Sequence, residues 1–282
     1  MRSVKFLVAA GAASLLSSAA FAADMPSIMP APQQYYAPPA QDFGGWYLRG
    51  DIGMTNSKGT LHSNLYDTLP AGTSLAQLGE GFTGGMSYGL GVGYQFNSWF
   101  RADVTGEYRS RVGFSGTDFT MFPNGGGPLS DVYNGGYTSW VGLINAYADL
   151  GTWWCVTPFV GVGIGGANLR TTGLLDTGAL IRGGVVQSAS YFAQGASTTN
   201  LAWAVHAGLA YKVNSNFTIE LAYRYLDMGT AVHGFGSSFD GTNAGPSTFQ
   251  FRDLTSQDLK IGVRWTCCEV ETPAPPPLIR KG

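Results

Sequence analysis

The sequence predicts an all-β protein: an eight-stranded antiparallel transmembrane β-barrel with short periplasmic turns and four long external loops. Three observations predict it. Gly85 to Ser110 alternates apolar and polar residues along two strands of about 10–12 residues, where about five or six is usual in globular proteins. The connections between such strands alternate long and short through the whole chain. The composition is weakly charged, with 12% Asp, Glu, Lys and Arg against about 25% in soluble domains, alongside 44% hydrophobic residues and Gly 41.

The hairpin sets the pattern. Met86, Tyr88, Leu90, Val92, Tyr94 and Phe96 alternate with Ser87, Gly89, Gly91, Gly93 and Gln95. After Asn97-Ser98, read as a two-residue turn, Phe100, Ala102, Val104, Gly106 and Tyr108 alternate with Arg101, Asp103, Thr105, Glu107 and Arg109. Successive side chains point to opposite faces of a strand, so one face is greasy and the other small or charged. A soluble sheet also alternates, but the strand length, the aromatic row ends and the mixed charges suit a lipid-facing wall around a polar lumen. The expected aromatic girdle comprises Trp46, Tyr88, Tyr94, Phe96, Trp99, Phe100, Tyr108, Trp153, Trp154, Tyr211, Phe217, Tyr225 and Trp265.

Residues 1–22 read as a secretory signal peptide, with Arg2 and Lys5 before an apolar run from Phe6 to Leu16 and an Ala20-Phe21-Ala22 cleavage site. No other segment has the roughly 18 uninterrupted apolar residues of a membrane helix. Export without membrane helices places the barrel in the outer membrane of a Gram-negative cell, with lipid and lipopolysaccharide around it. Residues 23–43 are a Pro-rich periplasmic arm that buries no core, 44–266 the barrel and 267–282 a Pro-rich periplasmic tail. A net charge of -2 argues against nucleic acid as a partner.

The first strand runs from about Gly45 to Thr55, with Arg49 and Asp51 on its inner face; a Gly-, Ser- and Asn-rich loop follows over 56–84. The opening hairpin supplies the second and third strands, and a loop over 111–137 carries the Pro123 to Pro128 run PNGGGP. The fourth strand is about Thr138 to Leu150, with Asp149 inward, and Gly151-Thr152-Trp153-Trp154 turns into the fifth, about Cys155 to Leu169. Inward Gly161, Gly163 and Gly165 there leave room for bulky lumen side chains. After a loop over 170–199, the sixth strand (Asn200 to Val213) turns inward His206 and Lys212. Asn214-Ser215 leads into the seventh (Asn216 to Met228), with Glu220 and Arg224 inward. A fourth loop ends near Asp253, and the eighth strand (Leu254 to Thr266) turns Asp258, Lys260 and Arg264 inward. Long odd-numbered and tight even-numbered connections put both termini at the periplasmic end.

At this point the chain resembles the small outer-membrane barrels of the OmpA-type and opacity-type superfamily, in the alphaproteobacterial branch of porin-family outer-membrane immunogenic proteins. The resemblance rests on Gly44 to Gly50 (GGWYLRG), Asn145 to Gly151 (NAYADLG), Thr157 to Gly165 (TPFVGVGIG) and Asp258 to Trp265 (DLKIGVRW). It implies the fold and leaves the activity open. The terminal aromatic that ends many such barrels is here Trp265, followed by a tail. The soluble peptidoglycan-binding domain of the OmpA type is expected to be absent.

The inner face collects Arg49, Asp51, Arg101, Asp103, Glu107, Arg109, Asp149, His206, Lys212, Glu220, Arg224, Asp258, Lys260 and Arg264. An eight-stranded barrel is just wide enough for side chains to fill, so these charges must pair or line a path. Two readings stand: a salt-bridged plug, or a narrow ion or solute pore. No enzyme is expected, since His62, His206 and His233 form no defensible triad with Ser and Asp. No metal or cofactor is expected either, because the His and Cys spacings give no zinc pattern and Gly161 to Gly166 lacks the Lys-Ser/Thr of a phosphate loop. Cys155 could bridge to Cys267 or Cys268 in the oxidising periplasm, although the fifth and eighth strands are not neighbours. Three roles follow: a structural barrel making surface contacts, including host surfaces, through its loops; a small-solute pore; and a peptidoglycan tether through the tail with Arg280 and Lys281.

Overall fold

The computed structural model describes residues 45–267. The expected signal peptide, the Pro-rich arm, and the tail with Cys268 lie outside the described residues. Among the described residues, fourteen strands form in one antiparallel sheet. In chain order they are β1 (Gly45–Ser63), β2 (Ser74–Gln77), β3 (Gly81–Phe82), β4 (Gly85–Gln95), β5 (Phe100–Phe122), β6 (Gly127–Asp149) and β7 (Val156–Thr171). They continue with β8 (Leu174–Arg182), β9 (Val185–Ala193), β10 (Ser197–Lys212), β11 (Phe217–Val232), β12 (Phe235–Ser238), β13 (Gly245–Pro246) and β14 (Phe249–Cys267). A short 3-10 helix, Asn64–Thr68, follows β1.

The long strands close a ring in the order β1, β4, β5, β6, β7, β10, β11, β14 and back to β1. The closing seam runs from Trp46 against Cys267 to Ser63 against Phe249, with one register shift between Lys58 and Thr60. Closure pairs every wall strand on both sides and removes the free edges that an open sheet would expose. Gly45 pairs with Gln95 and Trp46 with Cys267, so both ends of the described chain sit with the short β4–β5 turn.

Two of the three short turns use one device. Asn97 Oδ1 accepts from the backbone N–H of Trp99 and Phe100, and Asn214 Oδ1 accepts from those of Asn216 and Phe217. An Asx side chain thus does what a backbone carbonyl does in a tighter turn. The first connection is wider than the two residues expected, because the ladder closes with Phe96 N–H donating to the Phe100 carbonyl. In the β6–β7 turn, Trp154 (φ 49) and Cys155 (φ 67) both occupy the left-handed region, between Trp153 and Val156, which bridge. That is the two-residue hairpin geometry that favours Asn-Gly, held here by two bulky residues.

The four predicted loops are not irregular. β1 continues past the expected end at Thr55, and the 56–84 segment adds the 3-10 helix, β2 and β3. The 111–137 segment is a hairpin of β5 and β6 turning at Pro123 to Gly126, not a flexible loop. The 170–199 segment holds β8 and β9, and the last loop holds β12, β13 and the start of β14. The alternation carries on through these regions but changes parity at bulges. On β5 the inward residues are odd-numbered up to Arg109 and even-numbered from Val112, with the register shift between them. On β14 they are odd-numbered at Phe249 and Phe251 and even-numbered from Leu254. Past these bulges the interior also changes character. Leu61, Phe114, Tyr137, Leu226, Met228, Phe251 and Leu254 form a buried apolar core toward the loop end.

The strained turn makes a prediction. Cys155→Gly relieves a left-handed residue and should stabilise the barrel by about 0.5–1 kcal/mol, read as a higher urea midpoint for unfolding from vesicles.

Candidate functional site

The lumen between the short turns and the apolar core is filled by side chains from the inner rows of all eight ring strands. It divides into two charge clusters. Toward the loop end, Asp258 is fully buried and accepts both Nη1 (2.8 Å) and Nη2 (3.0 Å) of Arg109. Arg224 Nε reaches Asp258 at 2.9 Å while its Nη2 reaches Glu107 at 2.6 Å. Lys260 Nζ donates to Glu107 at 2.6 Å and also meets Asp51. Ser256 adds a hydroxyl that accepts from Arg109 at 2.6 Å. Three acids, Asp51, Glu107 and Asp258, therefore face three bases, Arg109, Arg224 and Lys260.

Toward the turns a second cluster repeats the balance with Asp103, Asp149 and Glu220 against Arg49, Arg101 and Arg264. Arg49 lies 3.0 Å from Asp103 and 3.5 Å from Glu220. Arg101, fully buried, lies 3.2 Å from Asp149 and 3.5 Å from Glu220. Arg264 reaches Glu220 at 3.6 Å. Arg49 to Asp51, 3.5 Å, joins the clusters. Each acid in the lumen has a cation within reach, which offsets the large penalty of burying an isolated charge.

Neutral residues complete the packing. Tyr147 Oη accepts from Arg49 at 2.9 Å, and its ring lies 4.2 Å beneath the Arg101 guanidinium. Phe159 stacks on the same guanidinium at 4.8 Å. Tyr47 Oη donates to Asp103 at 3.2 Å, and Asn145 Nδ2 donates to it at 2.8 Å. Sequence reasoning counted only charged and titrating inward residues and so missed these; their place on the inner rows was the available signal. Of the inward glycines expected to make room for lumen side chains, Gly161 and Gly163 do so and Gly165 does not: a Cβ there would meet the Gly142 backbone carbonyl. A Cβ on Gly161 would collide with the Tyr147 ring, one on Gly163 with the Asn145 carboxamide and one on Gly93 with the Tyr47 ring.

Two residues depart from the expected network. Lys212 is exposed at the last position of β10, beyond the end of the lumen, and takes no part in the ion pairs. His206 is inward and buried against the Tyr147 ring, 5.4 Å between centroids, but pairs with no carboxylate. The other histidines lie nearer the loop end: His62 faces Asp67 at 3.3 Å, and buried His233 stacks edge-on against Phe251. Cys155, in the turn before β7, and Cys267, at the end of β14, are not bonded to one another, and β10 and β11 stand between their strands, so the bridge between these two does not form.

On the outside, aromatics gather at two heights. At the turn end, Trp46 meets Tyr94 (5.4 Å), Tyr94 meets Phe96 (5.1 Å), Phe96 meets Phe100 (5.3 Å) and Trp99 meets Phe100 (5.6 Å). Trp153, Trp154, Tyr211, Phe217 and Trp265 are exposed at the same end. Nearer the loops, Tyr88 is exposed, Tyr108 packs on Trp140 at 5.0 Å and Tyr225 on Trp203 at 5.5 Å. Trp140 and Trp203 were not among the expected girdle residues. Between the two heights the wall is aliphatic, with Leu90, Val104, Ile144, Val162, Leu221 and Ile261 exposed.

Comparison with known proteins places this geometry. Residues 8–266 match the family described as outer membrane protein beta-barrel domain. An uncharacterised protein of Brucella abortus is 32% identical over 237 residues, covering 77% of this chain and 79% of its own, and one of Brucella suis matches equally. Among solved structures, Neisserial surface protein A is similar at 18% identity, covering 79% of this chain and 97% of its own, with a TM-score of 0.37. The outer membrane protein OprG of Pseudomonas aeruginosa is similar at 12% identity, covering 80% and 98%, with a TM-score of 0.40.

The network predicts an asymmetry among its members. Glu107→Ala takes from Arg224 and Lys260 one of the two acids each pairs with and should cost about 3–5 kcal/mol of unfolding free energy in vesicles, followed by tryptophan fluorescence. Lys212→Ala should stay within about 0.5 kcal/mol of the unchanged protein in the same measurement.

Proposed function

The chain belongs to the outer membrane β-barrel family, and from that premise we propose that it is a non-catalytic structural barrel whose lumen is plugged by paired charges and whose contacts are made at its loop end. The observation that carries this is the charge balance of the lumen. Six acids meet six bases inside the wall, in two clusters that each pair three with three. A conducting path would need these side chains parted by water. The apolar core above them adds a second closed layer, with Leu226, Phe251 and Leu254 all but fully buried.

In this reading the aliphatic band faces lipid, the two aromatic tiers sit at its interfaces, and the short turns face the periplasm. The loop end then faces the medium, among lipopolysaccharide, where β8, β9, β12 and the β5–β6 hairpin form a continuous folded surface. A folded surface of this kind presents fixed side chains to a partner with little ordering on contact.

Single-channel recording in planar bilayers tests the plug. The unchanged protein should give no conductance steps, and Arg101→Ala with Arg109→Ala, which empties one base from each cluster, should give them once Phe251→Ala opens the apolar layer as well. Steady steps from the unchanged protein, altered in size by the same substitutions, would make the lumen a pore instead.

A further inference from the structure

Neutralisation by an internal base stops at the apolar core. Asp118 on β5, Asp131 on β6 and Asp176 on β8 come from three adjacent strands near the loop end. Asp118 and Asp131 are direct cross-strand partners, and Asp176 stands opposite Tyr133 in the next ladder. Among the described residues, no Lys, Arg or His pairs with any of the three. In the lumen the same chain supplies a base for every acid.

Asp118 is 2% exposed. Its Oδ2 accepts from the hydroxyls of Tyr66 (2.7 Å) and Tyr133 (2.9 Å), and its Oδ1 has no partner. Asp176 Oδ1 is likewise buried and unpartnered. Gly178 gives Asp131 its place, because a Cβ there would collide with the Asp131 carboxylate. Asp131 and Asp176 line a cavity of about 440 Å³ together with Tyr66, Tyr133, Tyr191 and Phe249, and Asp118 lies behind its Tyr66 and Tyr133 partners. Its size is that of a small-molecule site. Burial, with the neighbouring carboxylates, pushes Asp131 and Asp176 each up to about 7. The other titrating groups around them add no positive charge. Glu80, between β2 and β3, is itself raised by burial, and Tyr66 and Tyr133 stay protonated. His62 on β1 turns toward Asp67.

We infer that this cavity binds an organic cation with an apolar body, an alkyl- or arylammonium, whose charge meets Asp131 and Asp176, with Asp118 beside Asp131 adding its negative field, and whose body lies against the tyrosines and Phe249. Unpaired buried carboxylates supply the missing half of an ion pair, and aromatic faces attract a desolvated cation. A bare metal ion fits less well, since no three metal-binding side chains converge closely enough among the described residues. The site's access to the medium rests on the orientation proposed above. Binding does not, because protein in micelles offers both ends to solvent.

The test is calorimetry on the full chain in non-ionic micelles, with phenethylammonium as probe. Methylammonium supplies charge without body, 2-phenylethanol body without charge, and calcium a metal alone. Phenethylammonium should bind one to one, at least about tenfold tighter than either partial analogue, a factor worth about 1.4 kcal/mol. Its affinity should rise from about pH 5.5 to about pH 8.5, with proton release, because Asp131 and Asp176 must lose protons to hold it. Asp131→Asn and Asp176→Asn should each weaken binding about tenfold while the folded band on unheated gels is kept. The inference falls if no saturable binding appears at any pH, if 2-phenylethanol binds as well, if calcium binds in its place, or if affinity ignores pH, which would leave carboxyls that only share protons. Should an Asn variant fail to fold, the analogue series and pH profile of the unchanged protein decide alone.

Discussion

Asp258 sits where the wall and its filling meet. It is fully buried on β14, the strand that closes the ring against β1, and it holds Arg109 from β5 and Arg224 from β11. β11 is the neighbour of β14, with Arg224 directly across the ladder from Asp258, but β5 lies three places away around the barrel, so the pair with Arg109 ties together positions that the backbone ladder joins only indirectly. The wall buries the charges, and the charges brace the wall across its bore. Removing either partner strands a charge in a medium that cannot solvate it. The inward glycines follow from this crowding: Tyr47 and Tyr147 lean into the space that Gly93 and Gly161 leave open.

Along the same strands the interior inverts. On β14, Lys260 and Asp258 face the lumen, and Leu254 and Phe251 occupy the corresponding inner row further up. The lower half is an outside-in protein, apolar where it meets lipid. The upper half buries apolar side chains as a soluble sheet does. Bulges at Ser110–Arg111 on β5, near Gly229 on β11 and near Asp253 on β14 mark the change. A bulge adds a residue to one strand and so exchanges its faces. Toward the loop end that exchange turns Val112, Phe114 and Phe251 inward.

This inversion sets what could be read from the sequence. Between Trp46 and Met54, or Phe217 and Tyr225, the two-residue period is unbroken and the strands, their faces and their lumen charges were legible. Lys212 was misplaced because parity says which way a residue points and not where the lumen ends. Beyond Arg109 the period restarts one residue out of step, and Gly-, Ser- and Asn-rich stretches then look like loops. Asp118, Asp131 and Asp176 stand in those stretches, far apart in sequence, and only the β5–β6–β8 ladders bring them together. Trp140 and Trp203 lay on recognised outer rows; what the sequence lacked was the height at which each row meets its neighbour.

The outer aliphatic band and the inner charge clusters lie at one level, and exposed Asn56, Lys58, Arg111 and Asp253 stand just past the band's edge. The barrel therefore has a waterline. A displacement along the membrane normal by even one pair of residues would drag a charge into hydrocarbon on one side or strand an aromatic ring in water on the other. The protein floats at one depth, and from Ser110 to Phe122 the β5 strand rises past that line by roughly 40 Å of chain at about 3.3 Å per residue. The tip of that hairpin is a mast of fixed height, whose clearance over the bilayer is written into the residues that hold the hull in place.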